Sequence, residues 1–237
     1  MKSKHLILIY FLVLVLEMLG DIVFDMKALP YGIWTFKPLL MPILMFWYFR
    51  ETKLKTNFDK IIMASLFFSW WGDNFLMPMI FKTDINFLLG LASFLIAHVL
   101  YILAFLKSKT QAASILKTKP YLALIFVLYG YILLKKLFEA DVPGFQEMSV
   151  PVIVYASVIM LMVISAINRY GKVSQASFRW VLLGALMFMV SDSFIALSRF
   201  TNIFAEAQMY ARLLIMPLYA IGQYFIIKGC ILQNEEE

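Results

Sequence analysis

Apolar stretches of about 20 residues recur along almost the whole chain, separated by short charged or Pro/Gly-rich breaks. A helix needs about 20 consecutive apolar residues to cross the hydrocarbon core of a bilayer, so each stretch is long enough to span a membrane. Eight helices are predicted on this basis, at 6–24, 31–49, 60–80, 87–106, 121–138, 150–168, 179–198 and 209–228. The predicted fold is an all-α integral membrane protein, an eight-helix transmembrane bundle.

Composition excludes the common soluble classes. Hydrophobic residues make up 62% of the 237 residues and charged residues only 15%, which is more apolar surface than a soluble core can bury. The longest breaks, at 107–120 and 139–149, leave no room for a soluble domain, so residues 1–237 are predicted to form a single transmembrane domain. Cys230 has no partner for a disulfide, and His5 and His98 are too few for a three-histidine zinc site. We expect no cofactor and no nucleic-acid partner.

Basic residues divide unequally between the two predicted sides of the membrane. The amino terminus, the loops at 50–60, 107–120 and 169–179, and the carboxyl end hold fourteen of the 21: Lys2, Lys4, Arg50, Lys53, Lys55, Lys60, Lys107, Lys109, Lys117, Lys119, Arg169, Lys172, Arg179 and Lys228. Cytoplasmic loops carry an excess of Lys and Arg. We therefore expect both termini in the cytoplasm, with the protein in a bacterial inner membrane.

Two similar stretches, WWGDNFL at 70–76 and MVSDSFI at 189–195, lie in the third and seventh predicted helices. An offset of four helices makes the two copies run in the same direction, which is typical of a parallel repeat. A parallel 4+4 repeat is one interpretation, and chance similarity between two apolar segments is the other.

Polar side chains share a layer near the middle of the predicted bundle. Counted from the predicted cytoplasmic ends, Glu17, Asp73 and Asp192 each lie roughly 17 to 20 Å deep. His98 and Gln223 lie close to the same depth. Because a charged side chain near the bilayer centre costs about 3 kcal/mol on insertion scales, these groups should face a shared polar cavity. Structural ion pairs or hydrogen bonds inside the bundle are the alternative.

Three cations lie near the predicted outer ends of helices: Lys37, Arg199 and Arg212. They would suit an anionic headgroup such as a phosphate, although snorkelling to the interface explains terminal arginines equally well. Lys37 has a further alternative, which is pairing with an acidic stripe on the first helix formed by Glu17, Asp21 and Asp25. Pro38 and Pro42 interrupt the backbone hydrogen bonds near the start of the second helix.

In order and spacing, five blocks of the chain resemble the signature blocks of the YhhN family of lysoplasmalogenases: FKPLLMP, GDNFLM, FLLGLASFLIAHVLY, GALMFMVSDSFIALSRF and LYAIGQYFIIKG. The resemblance implies a multi-helix membrane hydrolase that cleaves the vinyl-ether bond of a lysoplasmalogen, or of a related ether lysolipid, to a fatty aldehyde and a glycerophospho-base. Its expected partners are a lysophospholipid or ether-lipid substrate and membrane lipids, and the oligomeric state stays open.

Carboxyl groups suit this chemistry, because an enol ether is hydrolysed by protonation, passage through an oxocarbenium ion and addition of water. Asp73 and Asp192 are the candidate acid and cation stabiliser, and the sequence does not decide which takes which role. His98 is the expected base for the water, and Tyr101, at i+3, is expected to orient it. The expected substrate contacts are Lys37, Glu17, Asn74, Tyr219, Gln223, Arg199 and Arg212.

Two other kinds of function fit the same residues. Carboxylates at the midplane and an internal repeat are also typical of a proton-coupled transporter, or of a binding protein for a small amphiphile. A purely structural membrane subunit is the third interpretation. A serine nucleophile is a poorer account: Ser69, Ser191 and Ser193 flank the aspartates, but the chain has no GxSxG motif.

Overall fold

A computed structural model describes residues 3–27, 33–77, 84–107, 114–140, 142, 145–204 and 207–235, except for the side chains at 21, 23–27, 33–35, 208 and 234–235. In these ranges the chain forms nine helices and no strands: α1 (Ser3–Lys27), α2 (Ile33–Thr52), α3 (Asn57–Phe75), α4 (Asp84–Leu106), α5 (Ile115–Thr118), α6 (Tyr121–Glu139), α7 (Phe145–Ile167), α8 (Gln175–Phe200) and α9 (Gln208–Glu235).

Six of the described helices are long and apolar enough to cross a membrane: α1, α4, α6, α7, α8 and α9. The described part of the chain is therefore all-α, and its long apolar helices are those of a membrane protein. The helices α2 and α3 coincide with two further predicted segments but are not among these six. A count of eight spanning helices and a 4+4 repeat stay predictions.

Helix boundaries lie within about four residues of the sequence prediction except at three ends, one of which is the start of α7 at Phe145 rather than at 150. The helix α3 stops at Phe75 rather than at 80, because Pro78 disfavours helical backbone in the residue before it and cannot extend the ladder. The helix α9 continues to Glu235, past Lys228. The Lys228 ammonium lies 3.7 Å from the ring centroid of Trp180 on α8, so this charge packs against a neighbouring helix without ending its own. The four-residue α5 was not predicted, since it is too short to span a membrane.

The chain divides into two compact units, Met1–Leu100 and Tyr101–Glu237, with the boundary inside α4. In the first unit α2 packs against both α1 and α3. In the second unit α8 packs most extensively against α9, α7 packs against α8, and α6 packs against α7. The prediction of a single transmembrane domain is not tested by this division and stays a prediction.

A hydrogen-bonded corner joins α2 to α3 in the first unit. Thr56 caps α3: its hydroxyl accepts from the Asp59 N–H at 3.1 Å, and an Asp59 carboxylate oxygen accepts from the Thr56 N–H at 2.9 Å. The other Asp59 oxygen accepts from the Tyr48 hydroxyl of α2 at 2.9 Å. Both Tyr48 and Asp59 are buried. Asp59 is thus a structural carboxylate that holds the start of α3 against α2.

Glycines allow α8 and α9 to approach closely in the second unit. A Cβ atom on Gly184 would lie 2.5 Å from the Gly222 carbonyl oxygen, and one on Gly222 would lie 2.9 Å from the Gly184 carbonyl oxygen. Small residues at helix crossings serve membrane proteins in this way, because lipid supplies no hydrophobic force to drive helices together. The close contact fixes the position of α8, which carries Asp192.

Arg169, at the end of α7, is buried rather than exposed in a loop. Its guanidinium donates to the Ser177 hydroxyl at 2.8 Å and to the Gln233 side-chain oxygen at 2.9 Å, and it lies 5.2 Å from the centre of the Phe105 ring. From the sequence, Arg169 was expected to be a loop cation. Its observed role is to tie the end of α7 to α8 and α9.

Candidate functional site

Asp73 of α3 is buried and lies next to a cation of α2. Its side chain is 3% exposed, and its Oδ1 atom is 4.0 Å from the Lys37 ammonium nitrogen, whose side chain is 15% exposed. A carboxylate and an ammonium at this distance, largely removed from water, attract each other strongly. The structure therefore brings Lys37 to Asp73, a pairing that the sequence did not single out.

A proline defect sets the register of α3 against α2. Pro42 has no N–H, so the Pro38 carbonyl one turn earlier has no helical donor. The Trp70 indole N–H of α3 donates to that carbonyl at 2.9 Å. Trp70 lies one turn before Asp73, and Lys37 directly precedes Pro38, so the same contact that satisfies the carbonyl places the aspartate beside the lysine.

The other predicted site residues of the first unit are buried or held by their own helix. Glu17 of α1 is 1% exposed, and His98 of α4 is fully buried and stacks on Phe94 with ring centroids 6.5 Å apart. The Asn74 amide donates to the Trp70 carbonyl at 2.7 Å, one turn back on α3. The Phe94 ring packs directly against Gly72. A Cβ atom added at residue 72 would lie 2.5 Å from this ring, so only glycine leaves room for it.

Asp192 of α8 has a phenol as its partner in the second unit. The Tyr155 hydroxyl of α7 donates a hydrogen bond to Oδ2 of Asp192. A buried tyrosine hydroxyl usually finds such a partner, and here the bond fixes the direction of the carboxyl group. Beside it, the Tyr129 hydroxyl of α6 donates to the Ser193 hydroxyl at 2.7 Å, which in turn donates to the Met189 carbonyl at 2.8 Å.

These polar groups line a pocket between α6, α7 and α8. Its empty volume is about 410 Å³, open mouth included. The rest of the lining is apolar, with side chains such as Leu133, Val152, Ile159 and Ala196. The pocket thus combines one carboxyl group, two phenols and one serine hydroxyl with a hydrocarbon wall, which is the usual composition of a small-ligand site.

Two predicted site residues are used in a buried contact between α4 and α9. The Tyr101 hydroxyl donates to the Gln223 side-chain oxygen at 2.7 Å, and both residues are fully buried. Tyr219 is buried as well and meets Phe188 edge-on, with ring centroids 5.2 Å apart. The structure shows these side chains packing helices within the second unit.

The remaining predicted contacts include two arginines. Arg199 is exposed, and its guanidinium lies 5.7 Å from the centre of the Phe200 ring, while Arg212 on α9 is partly buried. The Asp21 and Asp25 side chains lie outside the described residues. Within the described ranges, no three His, Cys, Asp or Glu side chains form a group that could hold a metal ion.

Tyr155 is the site residue that sequence reasoning missed, although a signal was present. Counted at 1.5 Å per residue from the predicted cytoplasmic end of its helix, Tyr155 lies about 20 Å deep, the same depth as Asp192. The depth comparison was applied to carboxylates, histidine and glutamine but not to hydroxyls. Extending it to tyrosines would have proposed this pair.

In a comparison with protein families, the model of the YhhN family matches residues 32–230. The matched region contains Asp73, His98, Tyr101 and Asp192 and omits Glu17. No curated protein and no solved structure matches the chain significantly.

Proposed function

The chain belongs to the YhhN family, and from this premise we propose that it is a membrane hydrolase of the lysoplasmalogenase type. Its substrate would be a lysoplasmalogen or a related ether lysolipid, and its products a fatty aldehyde and a glycerophospho-base. The observation that carries the proposal is Asp192, a carboxyl group oriented by Tyr155 in the wall of an otherwise apolar pocket.

The proposed reaction adds one water molecule across the vinyl ether. A carboxyl group gives its proton to the outer vinyl carbon, and the remaining cation is shared between the inner carbon and the ether oxygen. Water then bonds to the inner carbon and gives up a proton, which forms a hemiacetal. The hemiacetal releases the glycerol oxygen as an alcohol and leaves an aldehyde on the chain. Carboxyl groups carry out the matching steps in glycoside hydrolysis.

The unlike partners of the two aspartates suggest which role each takes. A neutral phenol holds Asp192 in an apolar pocket, and this setting suits the group that carries the proton to the vinyl carbon. An ammonium lies beside Asp73, and this setting suits the carboxylate that stabilises positive charge in the transition state. His98 is the proposed base for the attacking water.

The headgroup is proposed to bind near Arg199. Asp192, Ala196 and Arg199 follow each other at i, i+4 and i+7, so they share one face of α8. Arg199 starts roughly 10 Å beyond Asp192 along the helix axis. The atoms between the vinyl ether and the phosphate of a lysoplasmalogen span a comparable length, and a guanidinium binds phosphate well.

An aldehyde-release assay tests the proposed function. Protein purified in detergent is incubated with lysoplasmalogens of different head groups, and the aldehyde is trapped and quantified. Release without any membrane gradient supports a hydrolase. Binding without release would favour the alternative, a proton-coupled carrier or an amphiphile-binding protein, to which midplane carboxylates are also suited. A purely structural subunit would do neither.

The proposed location is a bacterial inner membrane with both termini in the cytoplasm, because most basic residues lie on that side in the sequence. A carboxyl-terminal alkaline phosphatase fusion checks the orientation. We expect it to be inactive, and an active fusion would place the carboxyl terminus in the periplasm.

A further inference from the structure

The pocket beside Asp192 lies behind one helix, α6, most of whose described residues are exposed. Of the described residues of α6, only Gly130 and Leu137 are buried, and both line the pocket. Many apolar side chains of α6 are more than half exposed, for example Leu124 at 63% and Leu128 at 57%. In a membrane protein such a helix faces lipid, so within its unit the pocket is one helix away from the hydrocarbon of the bilayer.

The contact between α6 and α7 at this pocket depends on Gly130. A Cβ atom there would lie 2.3 Å from the Met160 sulfur and 2.4 Å from its terminal methyl carbon. The Met160 thioether therefore occupies the space that a side chain at 130 would need. Methionine is unbranched and adapts its shape easily, so this contact can yield to a narrow apolar ligand. Gly130 and Met160 together limit the width of the pocket on this side.

The chemistry of the lining selects the kind of ligand. It contains no Lys or Arg, and its polar groups are confined to Asp192, Ser193 and the two tyrosines. The empty volume of about 410 Å³ includes the open mouth, so the enclosed part of the pocket is narrow. An anionic headgroup such as a phosphate has no counter-ion in this lining, whose acidic group is Asp192, and two parallel chains would need far more width. A single hydrocarbon chain fits both conditions.

We infer that this pocket takes the hydrocarbon chain of a single-chain lipid, which enters beside α6, and that Gly130 and Met160 determine which chains fit. The chain would run from Asp192 toward Gly130 and Met160, about 7 Å further along α7 from Tyr155. The identity of the reacting bond rests on the proposed function, but occupation of the pocket by a chain does not.

Photo-crosslinking tests the inference without any need for hydrolysis. The probe is a 1-O-alkyl lysophosphatidylcholine, which has no vinyl ether, with a diazirine in the half of the chain near glycerol. It is irradiated with the purified protein, and the labelled residues are identified by mass spectrometry. We expect the label on Met160 and its neighbours Ile159 and Leu133. Labels confined to exposed α6 side chains such as Leu124 and Leu128 would overturn the inference.

Two substitutions at the constriction sharpen the test. Gly130→Leu should reduce labelling of the pocket by about five-fold or more, because extra volume in a packed site opposes entry of the chain. Combining Gly130→Ala with Met160→Ala should restore labelling lost in Gly130→Ala alone, since one change adds volume where the other removes it. Leu161→Ala, at an exposed neighbour of Met160, is the matched control and should label like the wild type. If Gly130→Leu does not fold, the inference is still tested by the labelled positions in the wild type and by the comparison of Gly130→Ala with the double variant.

Aldehyde release separates failure of the inference from failure of the proposed function. Pocket labelling without aldehyde release would support the chain site and contradict the hydrolase. Aldehyde release with labels only on the lipid-facing side of α6 would support the hydrolase and contradict the chain site. If both hold, Met160→Ala should raise kcat/KM for branched-chain substrates relative to straight-chain ones.

Discussion

Asp73 lies 4.0 Å from the Lys37 ammonium and is buried in the first unit, whereas Asp192 accepts a hydrogen bond from the Tyr155 phenol at the edge of a pocket in the second. The two aspartates stand in similar sequences, WWGDNFL and MVSDSFI. Similar sequence therefore gives one carboxyl group a cation and the other a neutral hydrogen-bond donor. The partner, rather than the local sequence, separates their chemical roles.

The contrast matters because enol-ether hydrolysis needs two different carboxyl functions, one that delivers a proton and one that stabilises positive charge. One aspartate lies next to a cation and the other next to a phenol. These different surroundings favour different chemical roles for the two carboxyl groups. We therefore expect that removing either partner lowers kcat, and that the partner with the stronger interaction with its aspartate gives the larger loss.

The largest expected effect comes from the aspartates themselves. Asp73→Asn and Asp192→Asn should each lower kcat by about 10²-fold or more, because general acid catalysis and charge stabilisation are typically worth 10²- to 10⁴-fold. The double variant should be little worse than either single, since residues that act as a unit are strongly non-additive. The measurement is aldehyde release from variants that elute as monodisperse protein.

Strictly additive losses would contradict joint action of the two carboxyl groups. Near-normal turnover in one well-folded single variant would make that aspartate structural. Glu17 would then be the next carboxylate to test, because it is buried and was predicted at a similar depth.

The next largest effect is expected for Lys37→Met. This substitution should lower kcat by about 10-fold, because it removes the cation from a largely buried charge pair. Lys37→Arg keeps the charge and should lose less. Lys135→Met is the matched control: this lysine is 57% exposed and pairs with Glu139 on the surface of α6, so its loss should leave kcat unchanged. A rise in KM alone for Lys37→Met would instead return Lys37 to the headgroup role expected from the sequence.

Tyr155→Phe should lower kcat by about 5- to 10-fold with little change in KM, since a hydrogen bond of this kind contributes about 0.5–1.5 kcal/mol. Tyr155 acts through Asp192, so the effect should largely vanish when it is measured in the Asp192→Asn background. Tyr129→Phe removes a phenol of the same pocket that bonds to Ser193 instead, and should have the smaller effect on kcat. Equal effects of both substitutions in the Asp192→Asn background would make Tyr155 a packing residue only.

Much of the fold could be predicted from the sequence, because the length and apolarity of a segment are enough to identify a membrane helix. The long helices lie where the apolar runs are, and the early end of α3 follows from Pro78. The packing of Lys228 inside α9 was not predictable from its own segment, because the ammonium lies over Trp180 of another helix. The same limit applies to Arg169, whose burial depends on Ser177 and Gln233.

The sequence indicated individual candidate residues but not the contacts between them, and their roles stay predictions. Depth along each helix indicated Asp73 and Asp192, since one coordinate of a membrane helix can be read from its sequence. Which helices are neighbours, and which faces meet, cannot be read in that way. Lys37 was therefore assigned to acids of α1 or to a headgroup, while the Trp70 contact with Pro38 brings it to Asp73.

The smallest expected effect on turnover is for Tyr48→Phe, which removes a second tyrosine–aspartate hydrogen bond, the one to Asp59 in the first unit. Asp59 also accepts from Thr56 and so serves as part of the cap of α3, outside any described pocket. The substitution should lower the free energy of unfolding by about 1 kcal/mol, the usual worth of a buried hydrogen bond, and leave kcat within two-fold of wild type. Thermal unfolding in detergent and aldehyde release measure the two effects on one preparation. A fall in kcat with unchanged stability would mean that a tyrosine–aspartate hydrogen bond outside the pocket also supports turnover. That result would contradict the assignment of the active site to the pocket around Asp192.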